Sequence, residues 1–261
     1  MIIAVHDLVV RRAGRTILGP IDWEVGDGQR WVILGANGSG KTTLCSVAAM
    51  ALWPTSGTVD VLGERYGRID AREHRRRIGS AGAAIEAQMR PDLTPRTLIM
   101  TARHGAFEPW WHVYEAADGE RAGMLAGRLG LAGHVDQPFG TLSAGERRRT
   151  SIARALMPDP DVLLLDEPTA SLDLAARETL LHDLATLAGE PRPLAIVLVS
   201  HHLEEIPPGF GHALVLRAGR VVAAGPISAV LTDDVLSTAF GVPLTVARSD
   251  DRWTARLRRA T

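Results

Sequence analysis

The sequence predicts an α/β fold with a mainly parallel sheet, an N-terminal antiparallel β part and an inserted helical subdomain. Three observations carry this reading. Residues 31–34, 162–165 and 195–199 are short continuous apolar runs, the pattern of strands buried on both faces. A helix-period stretch at 175–187, with Leu180, Leu181, Leu184 and Leu187 in phase, separates two of them. From about 90 to 138 no strand-like run occurs, whereas 95–101 and 115–131 read as helical.

Taken in order, residues 2–5 alternate weakly. Ile21, Trp23 and Val25 alternate clearly with Asp22 and Glu24, and Gly26, Asp27 and Gly28 follow as a turn. The buried run at 31–34 leads straight into Gly35. Residues 41–52 read as a helix stopped by Pro54, and 58–62 as a strand. Near the end, 213–216 and 220–222 are two short β runs around a Gly219 turn. The chain reads as a single domain over 1–261, with 90–138 as the helical insertion and about 232–261 as a C-terminal extension.

Composition excludes several classes. Hydrophobic residues make up 46% and charged residues 23% of the 261, ordinary globular usage. A net charge of −1 speaks against a nucleic-acid binder held by bulk charge. One cysteine, Cys45, leaves no internal disulfide framework and fits a reducing compartment. The first residues reach Asp7 without a basic segment, unlike a signal peptide, and no apolar run approaches the ~20 residues that span a bilayer. All but one of the 29 basic residues are arginine: Lys41 is the only lysine, and Asn37 the only asparagine. Where arginine serves everywhere else, a surviving lysine marks a site that needs a compact ammonium.

That lysine closes the pattern Gly35, Ala36, Asn37, Gly38, Ser39, Gly40, Lys41, Thr42, which matches G-x-x-x-x-G-K-[ST] and continues into Thr43. Glycines let backbone N–H groups turn toward phosphate oxygens, and the helix behind them adds its positive end. Lys41 would reach the β- and γ-phosphates and Thr42 would ligate Mg²⁺. The reading is a P-loop NTPase core binding a nucleoside triphosphate with Mg²⁺. The apolar strand at 162–165 ends in Asp166 and Glu167, oxygen donors suited to the metal shell and the γ-phosphate region.

Leu142, Ser143, Ala144, Gly145 and Glu146, upstream of those acids, complete a set that resembles the ATP-binding subunit of an ABC transporter. The phosphate loop is similar to the Walker A motif, 142–146 to the signature motif and 162–167 to Walker B. Ser171, Leu172 and Asp173 are similar to the D-loop, and Ser200 and His201 to the switch-histidine position. The resemblance covers nearly the whole chain. It implies that Asp166 holds Mg²⁺ mainly through water, Glu167 polarises the attacking water and His201 bonds the γ-phosphate. It also implies a head-to-tail homodimer or paired ATPase subunit with two ATP at the interface, and an integral membrane permease as partner. The protein would be cytoplasmic, peripheral at the inner face of the cell membrane, with no specific nucleic acid. The C-terminal stretch loosely resembles subunits of iron-chelate or molybdate import. The alternative is a soluble ABC ATPase acting on nucleic acid or ribosomes, but such members carry two cassettes or a long coiled coil. A nucleotide switch without turnover fits poorly with Glu167 and His201 both in place.

Departures from the family pattern stand beside these. Ala144 occupies a position where glycine is common, and Glu146 one where glutamine is common. Arg12 aligns with the usual adenine-stacking aromatic; a guanidinium can stack on a base, and a solvated arginine reads equally well. Ala83 replaces the expected Q-loop glutamine, with Gln88 five residues on. The arginine runs 75–77 and 147–149 read as solvated helix faces. Phe107, Trp110, Trp111 and Tyr114 concentrate aromatics inside the helical insertion, either as its core or as a partner-facing surface. His202 reads as a structural neighbour of His201, and His6, His104, His112 and His134 as surface or packing residues.

Overall fold

Strand β1 (Ile3–Arg12) opens the computed structural model, which describes residues 1–70, 74 and 76–258. It pairs antiparallel with β2 (Arg15–Val25) from Ile3↔Val25 to Arg12↔Arg15. Ala13 and Gly14 make the turn at φ 46° and 76°, the two-residue geometry whose twist matches that of its strands. The weak alternation at 2–5 therefore undersold this strand. Asp7, at φ 47°, sits in the register shift between Val5 and Leu8, and the bulge puts the apolar residues out of period. The chain continues through β3 (Arg30–Leu34) and α1 (Lys41–Ala48) to β4 (Ser56–Val61) and β5 (Glu64–Arg65), which extend the antiparallel sheet in the order β2-β1-β4-β5. The helix expected over 41–52 stops at Ala48. Met50 takes a left-handed φ of 54° with its side chain fully buried, and the Tyr66 hydroxyl donates to its carbonyl at 2.7 Å. A tertiary contact ends this helix before Pro54 can.

Residues 70–184 form one compact unit. Its strand β6 (Ile78–Gly82), built of glycine, serine and alanine after Ile78, carries too little hydrophobic pattern to be read from sequence. It runs parallel to β7 (Val162–Asp166) from Ile78↔Val162 to Gly82↔Asp166. Gly79 is required there, since a Cβ would meet the Ala155 carbonyl oxygen at 2.6 Å. The helices are α2 (Ala83–Glu86), α3 (Pro95–Thr101, capped by Thr94), α4 (Ala116–Arg128), α5 (Ala144–Leu156) and α6 (Leu174–Ala188), the last leading into the other unit. α4 is shorter than the expected 115–131, because Glu115 is its cap, forming a reciprocal capping box with Asp118, and Gly130 turns away at φ 67°. Residues 90–138 lie inside this unit and, among the described residues, contain no strand. Met89, Leu98, Phe139 and Leu142 form a buried cluster there, with Phe107 packed against it.

The other unit comprises 1–69 and 185–261. Here β8 (Ala195–Val199), buried at every position, is parallel to β3, and β9 (His212–Arg217) is parallel to β3 on its far side. Ala218 and Gly219, both at positive φ, return the chain as antiparallel β10 (Arg220–Pro226). Then come α7 (Ile227–Val230), α8 (Asp233–Phe240) and a hairpin of β11 (Leu244–Ser249) and β12 (Arg252–Leu257). The α/β class, the mainly parallel sheet and the N-terminal antiparallel part are as the sequence reads. Residues 259–261 of the C-terminal extension and Arg75 of the first arginine run lie outside the described residues. Among those described, no helix is long and apolar enough to cross a membrane.

Candidate functional site

The residues singled out by sequence fall into two groups, one in each compact unit. In the unit of 1–69 and 185–261, residues 35–40 connect β3 to α1 and His201 follows β8. Because β3 and β8 are neighbouring parallel strands, both groups lie at strand C-termini, where open parallel sheets bind ligands. Gly35 takes φ 152°, and a Cβ would collide with the Leu216 carbonyl oxygen at 2.3 Å and Ser39 Oγ at 2.6 Å. Gly38 and Gly40 are also left-handed, at 79° and 101°. The β9–β10 turn braces the loop from behind, with Gly219 N donating to the Ser39 carbonyl at 3.0 Å and Gly19 N to the Gly219 carbonyl at 2.7 Å.

The Lys41 ammonium is buried and donates to the carbonyl oxygens of Gly35 at 2.9 Å and Ala36 at 3.3 Å. Ala36, Asn37, Gly38 and Thr42 are exposed at the mouth. Ser39 Oγ is buried with no hydrogen-bond partner, and an orphaned donor beside a buried cation at a helix N-terminus fits an anionic phosphate. Arg12 stands exposed at the corner of the β1–β2 turn.

The segment carrying His201 is knotted by a pair the sequence reading missed. The Ser200 hydroxyl donates to the buried carboxylate of Glu205 and accepts the N–H of His202 at 2.9 Å, while Ser200 N donates to the Ile33 carbonyl at 3.1 Å. From β12, Arg252 donates to the Glu204 carbonyl at 2.5 Å. The His202 ring lies beside that of His201, tilted by 44° with ring centres 4.1 Å apart. In the sequence Glu205 is one of two adjacent glutamates with nothing to single it out, and its burial and its partner appear only once the turn is folded.

In the unit of 70–184, Asp166 and Glu167 follow β7. Glu167 takes a left-handed φ of 47°, and its carbonyl accepts from Ala170 N at 3.2 Å. Ser143 caps α5, with its Oγ accepting from Glu146 N at 3.3 Å and its N–H donating to Glu146 Oε2 at 2.8 Å. That reciprocal box explains a glutamate at 146. The Ser143 N–H, with the nearby His134 and Arg149, holds the Glu146 carboxyl below the usual carboxylate range. Gly145 is buried under Ala176, whereas Ser143 and Ala144 are exposed and Leu142 belongs to the cluster with Phe139. Asp173 Oδ1 accepts from Ala176 N at 2.8 Å, capping α6. Ala83 begins α2 and Gln88 turns back to donate to the Ala84 carbonyl at 2.9 Å. The carboxylate of Asp166 and the hydroxyl of Thr42 are hard oxygen donors of the kind Mg²⁺ takes. Among the described residues, no group of three or more His, Cys, Asp or Glu side chains could hold a metal by itself, so such an ion would lean on substrate oxygens and water.

One expectation is corrected, and one open alternative is narrowed. Arg148, read as part of a solvated face, is 6% exposed and pairs with Glu86 at 2.6 Å. The ends of the aromatic run are packed, Phe107 against the helical cluster and Tyr114 edge-on to His104 at 5.2 Å with its hydroxyl buried, whereas its middle is open. Trp110 and Trp111 are 56% and 84% exposed, followed by Val113 at 88%. Phe107 is pinned under Arg154, whose guanidinium stacks on its ring at 4.1 Å and donates to the Ala106 carbonyl at 2.6 Å. Burial lowers the Arg154 pKa to about 10, leaving it charged at neutral pH. Arg154→Ala should therefore cost about 2–4 kcal/mol, as a lost charged hydrogen bond and lost packing. A thermal melt showing Tm within one degree of wild type would refute this anchoring role.

A family profile described as ABC transporter matches residues 18–170. An ABC transporter ATP-binding protein of Bacillus subtilis, YlmA, is 37% identical over 256 residues, covering 97% of this chain and 96% of the relative. A phosphonates import ATP-binding protein of Rhodopseudomonas palustris is 34% identical, covering 88% and 83%. A hemin import ATP-binding protein of Rhodococcus jostii is 33% identical, covering 92% and 80%. Among solved structures, a metal-chelate type ABC transporter in an inward-facing conformation superposes with TM-score 0.77 at 21% identity, over 98% of this chain and 96% of that one, a likeness of fold. A cassette from Clostridium perfringens, part of the cbiONQ transporter complex, gives 0.76 at 25% identity, over 91% and 93%.

Proposed function

The chain belongs to the ABC transporter family as an ATP-binding subunit, and from that premise we propose the roles of its individual residues. It binds and hydrolyses ATP and energises a separate membrane permease, working as a dimer with two ATP at the interface. The soluble nucleic-acid or ribosome alternative is not favoured by relatives named for import. Residues 35–43 cradle the phosphates, with Lys41 as the cation and the orphaned Ser39 hydroxyl as a further donor. Thr42 and Asp166 would hold Mg²⁺, which would supply charge neutralisation at the β- and γ-phosphates. Glu167 accepts a proton from the attacking water and His201 bonds the γ-phosphate. From the signature motif Leu142, Ser143, Ala144, Gly145 and Glu146, Ser143 and Gly145 at the α5 N-terminus meet the γ-phosphate of the nucleotide bound to the opposite subunit, while Leu142 anchors the motif in the core and Glu146 caps the helix. Arg12, exposed at its hairpin corner, is free of packing that would stop it stacking on adenine. The buried single lysine facing loop carbonyls is the observation that carries the nucleotide assignment.

The protein sits at the cytoplasmic face, docked on its permease through residues 90–138. Trp110, Trp111 and Val113 form the docking surface: adjacent large apolar side chains this exposed are unusual on a chain with a binding partner absent. Trp110→Ala with Trp111→Ala should leave basal ATPase and Tm nearly unchanged, since the pair lose little buried area. Co-purification with the permease from native membranes should disappear. A collapse in Tm with loss of soluble protein, or retained co-purification, would overturn the assignment. Relatives named for phosphonates and for hemin import support an import role, and a transport assay with the co-purifying permease tests it.

A further inference from the structure

The buried arginine of the signature helix reaches the backbone of the hydrolytic glutamate. Arg148 lies in the second turn of α5, and its Nη1 donates to the Glu167 carbonyl at 3.1 Å. Its Nε faces Glu86 Oε1 at 2.6 Å, with the two side chains 8% and 17% exposed. The result is a chain of three groups within one compact unit: Glu86 carboxylate, Arg148 guanidinium, Glu167 carbonyl.

Each link has a physical consequence. Glu167 is not glycine, yet its φ is 47°, a region disfavoured for side-chain-bearing residues and kept only where surrounding contacts over-determine it. The direction of its Cα–Cβ bond, and so of its carboxylate, follows the orientation of that peptide plane. A charged donor on the carbonyl oxygen fixes the plane. A guanidinium so buried needs a counter-charge, and Glu86 supplies it. Burial raises the Glu86 pKa, while Arg148 and then Arg147 oppose that rise. Arg148 does not touch the nucleotide site itself; it acts through the backbone of the residue that does.

We propose that Arg148 is a positioning residue for Glu167, clamped in place by Glu86. The inference rests on the reading of Glu167 as the group that polarises water. Arg148→Ala should lower kcat for ATP by about tenfold or more, since small misplacements of reacting groups carry penalties of that order, while KM and nucleotide affinity stay within about twofold. Arg148→Lys keeps a donor for one of the two partners and should recover part of kcat. The double variant Glu86→Ala with Arg148→Ala should be no slower than Arg148→Ala alone, because the two act in series. Should Arg148→Ala fail to fold, the neutral pair Glu86→Gln with Arg148→Gln preserves much of the volume without burying a lone charge, and is expected to fold with reduced kcat. Wild-type kcat in either the alanine or the neutral-pair protein overturns the proposal, as does a loss confined to nucleotide affinity. Glu167→Gln separates the two levels. If that protein is inactive while the Arg148 variants turn over normally, only the positioning role falls. If Glu167→Gln itself turns over normally, the underlying reading falls.

Discussion

Glu167→Gln should bind ATP as the wild type does and lose at least about 10²-fold in turnover, the range supplied by a positioned general base. The side chain follows β7, whose parallel pairing with β6 fixes the strand end, and its backbone is held by Ala170 and Arg148. Glutamine matches glutamate in shape and can adopt the same left-handed backbone, so the fold and the loop should survive. What disappears is the acceptor for the water's proton. ATP that cannot be cleaved persists at the subunit interface, so the protein should elute as a dimer on gel filtration in the presence of ATP. Hydrolysis at the wild-type rate would show that another group takes the proton.

Lys41→Arg should raise the dissociation constant for ATP by at least about 100-fold, even though arginine replaces lysine everywhere else in this chain. The ammonium is buried against two loop carbonyls at 2.9 and 3.3 Å. A planar guanidinium is larger and presents its donors in a fixed fork, so it cannot occupy a space shaped around a point charge. Overpacking at such a site costs about 1–3 kcal/mol, and losing a charged hydrogen bond about 1.5–3 kcal/mol. Together they come to about 2.5–6 kcal/mol, which reaches the ~2.7 kcal/mol of a 100-fold change over nearly its whole range. Calorimetric titration decides it, and an unchanged dissociation constant would mean that charge alone suffices.

Legibility in the sequence tracked the range of the interactions involved. The phosphate loop could be read because its requirements are local: glycine where φ is positive or a Cβ would collide, lysine at the helix start, a buried strand just before it. The capping box of Ser143 and Glu146 is local in the same sense, and so are the apolar strands β3, β7 and β8, buried at nearly every position. Strand β6 escaped notice because glycine, serine and alanine fit its crowded surroundings but carry no hydrophobic signal. β1 escaped in part because a bulge at Asp7 breaks the two-residue period.

Other features belong to the tertiary structure alone. Three consecutive arginines look equivalent as letters; that Arg148 is buried follows from Glu86, 62 positions earlier, and the Glu167 carbonyl, 19 positions later. The aromatic run looked uniform, yet Phe107 turns in beneath Arg154, 47 positions away, and leaves Trp110 and Trp111 outside. Glu205 needed its turn closed before the Ser200 hydroxyl could meet it. By itself the sequence determined the nucleotide chemistry and the fold class, because both are written in local backbone requirements and in periodicity. Which charged and aromatic side chains are buried, and so which support the chemistry and which await a partner, was decided only by chain segments brought together in space.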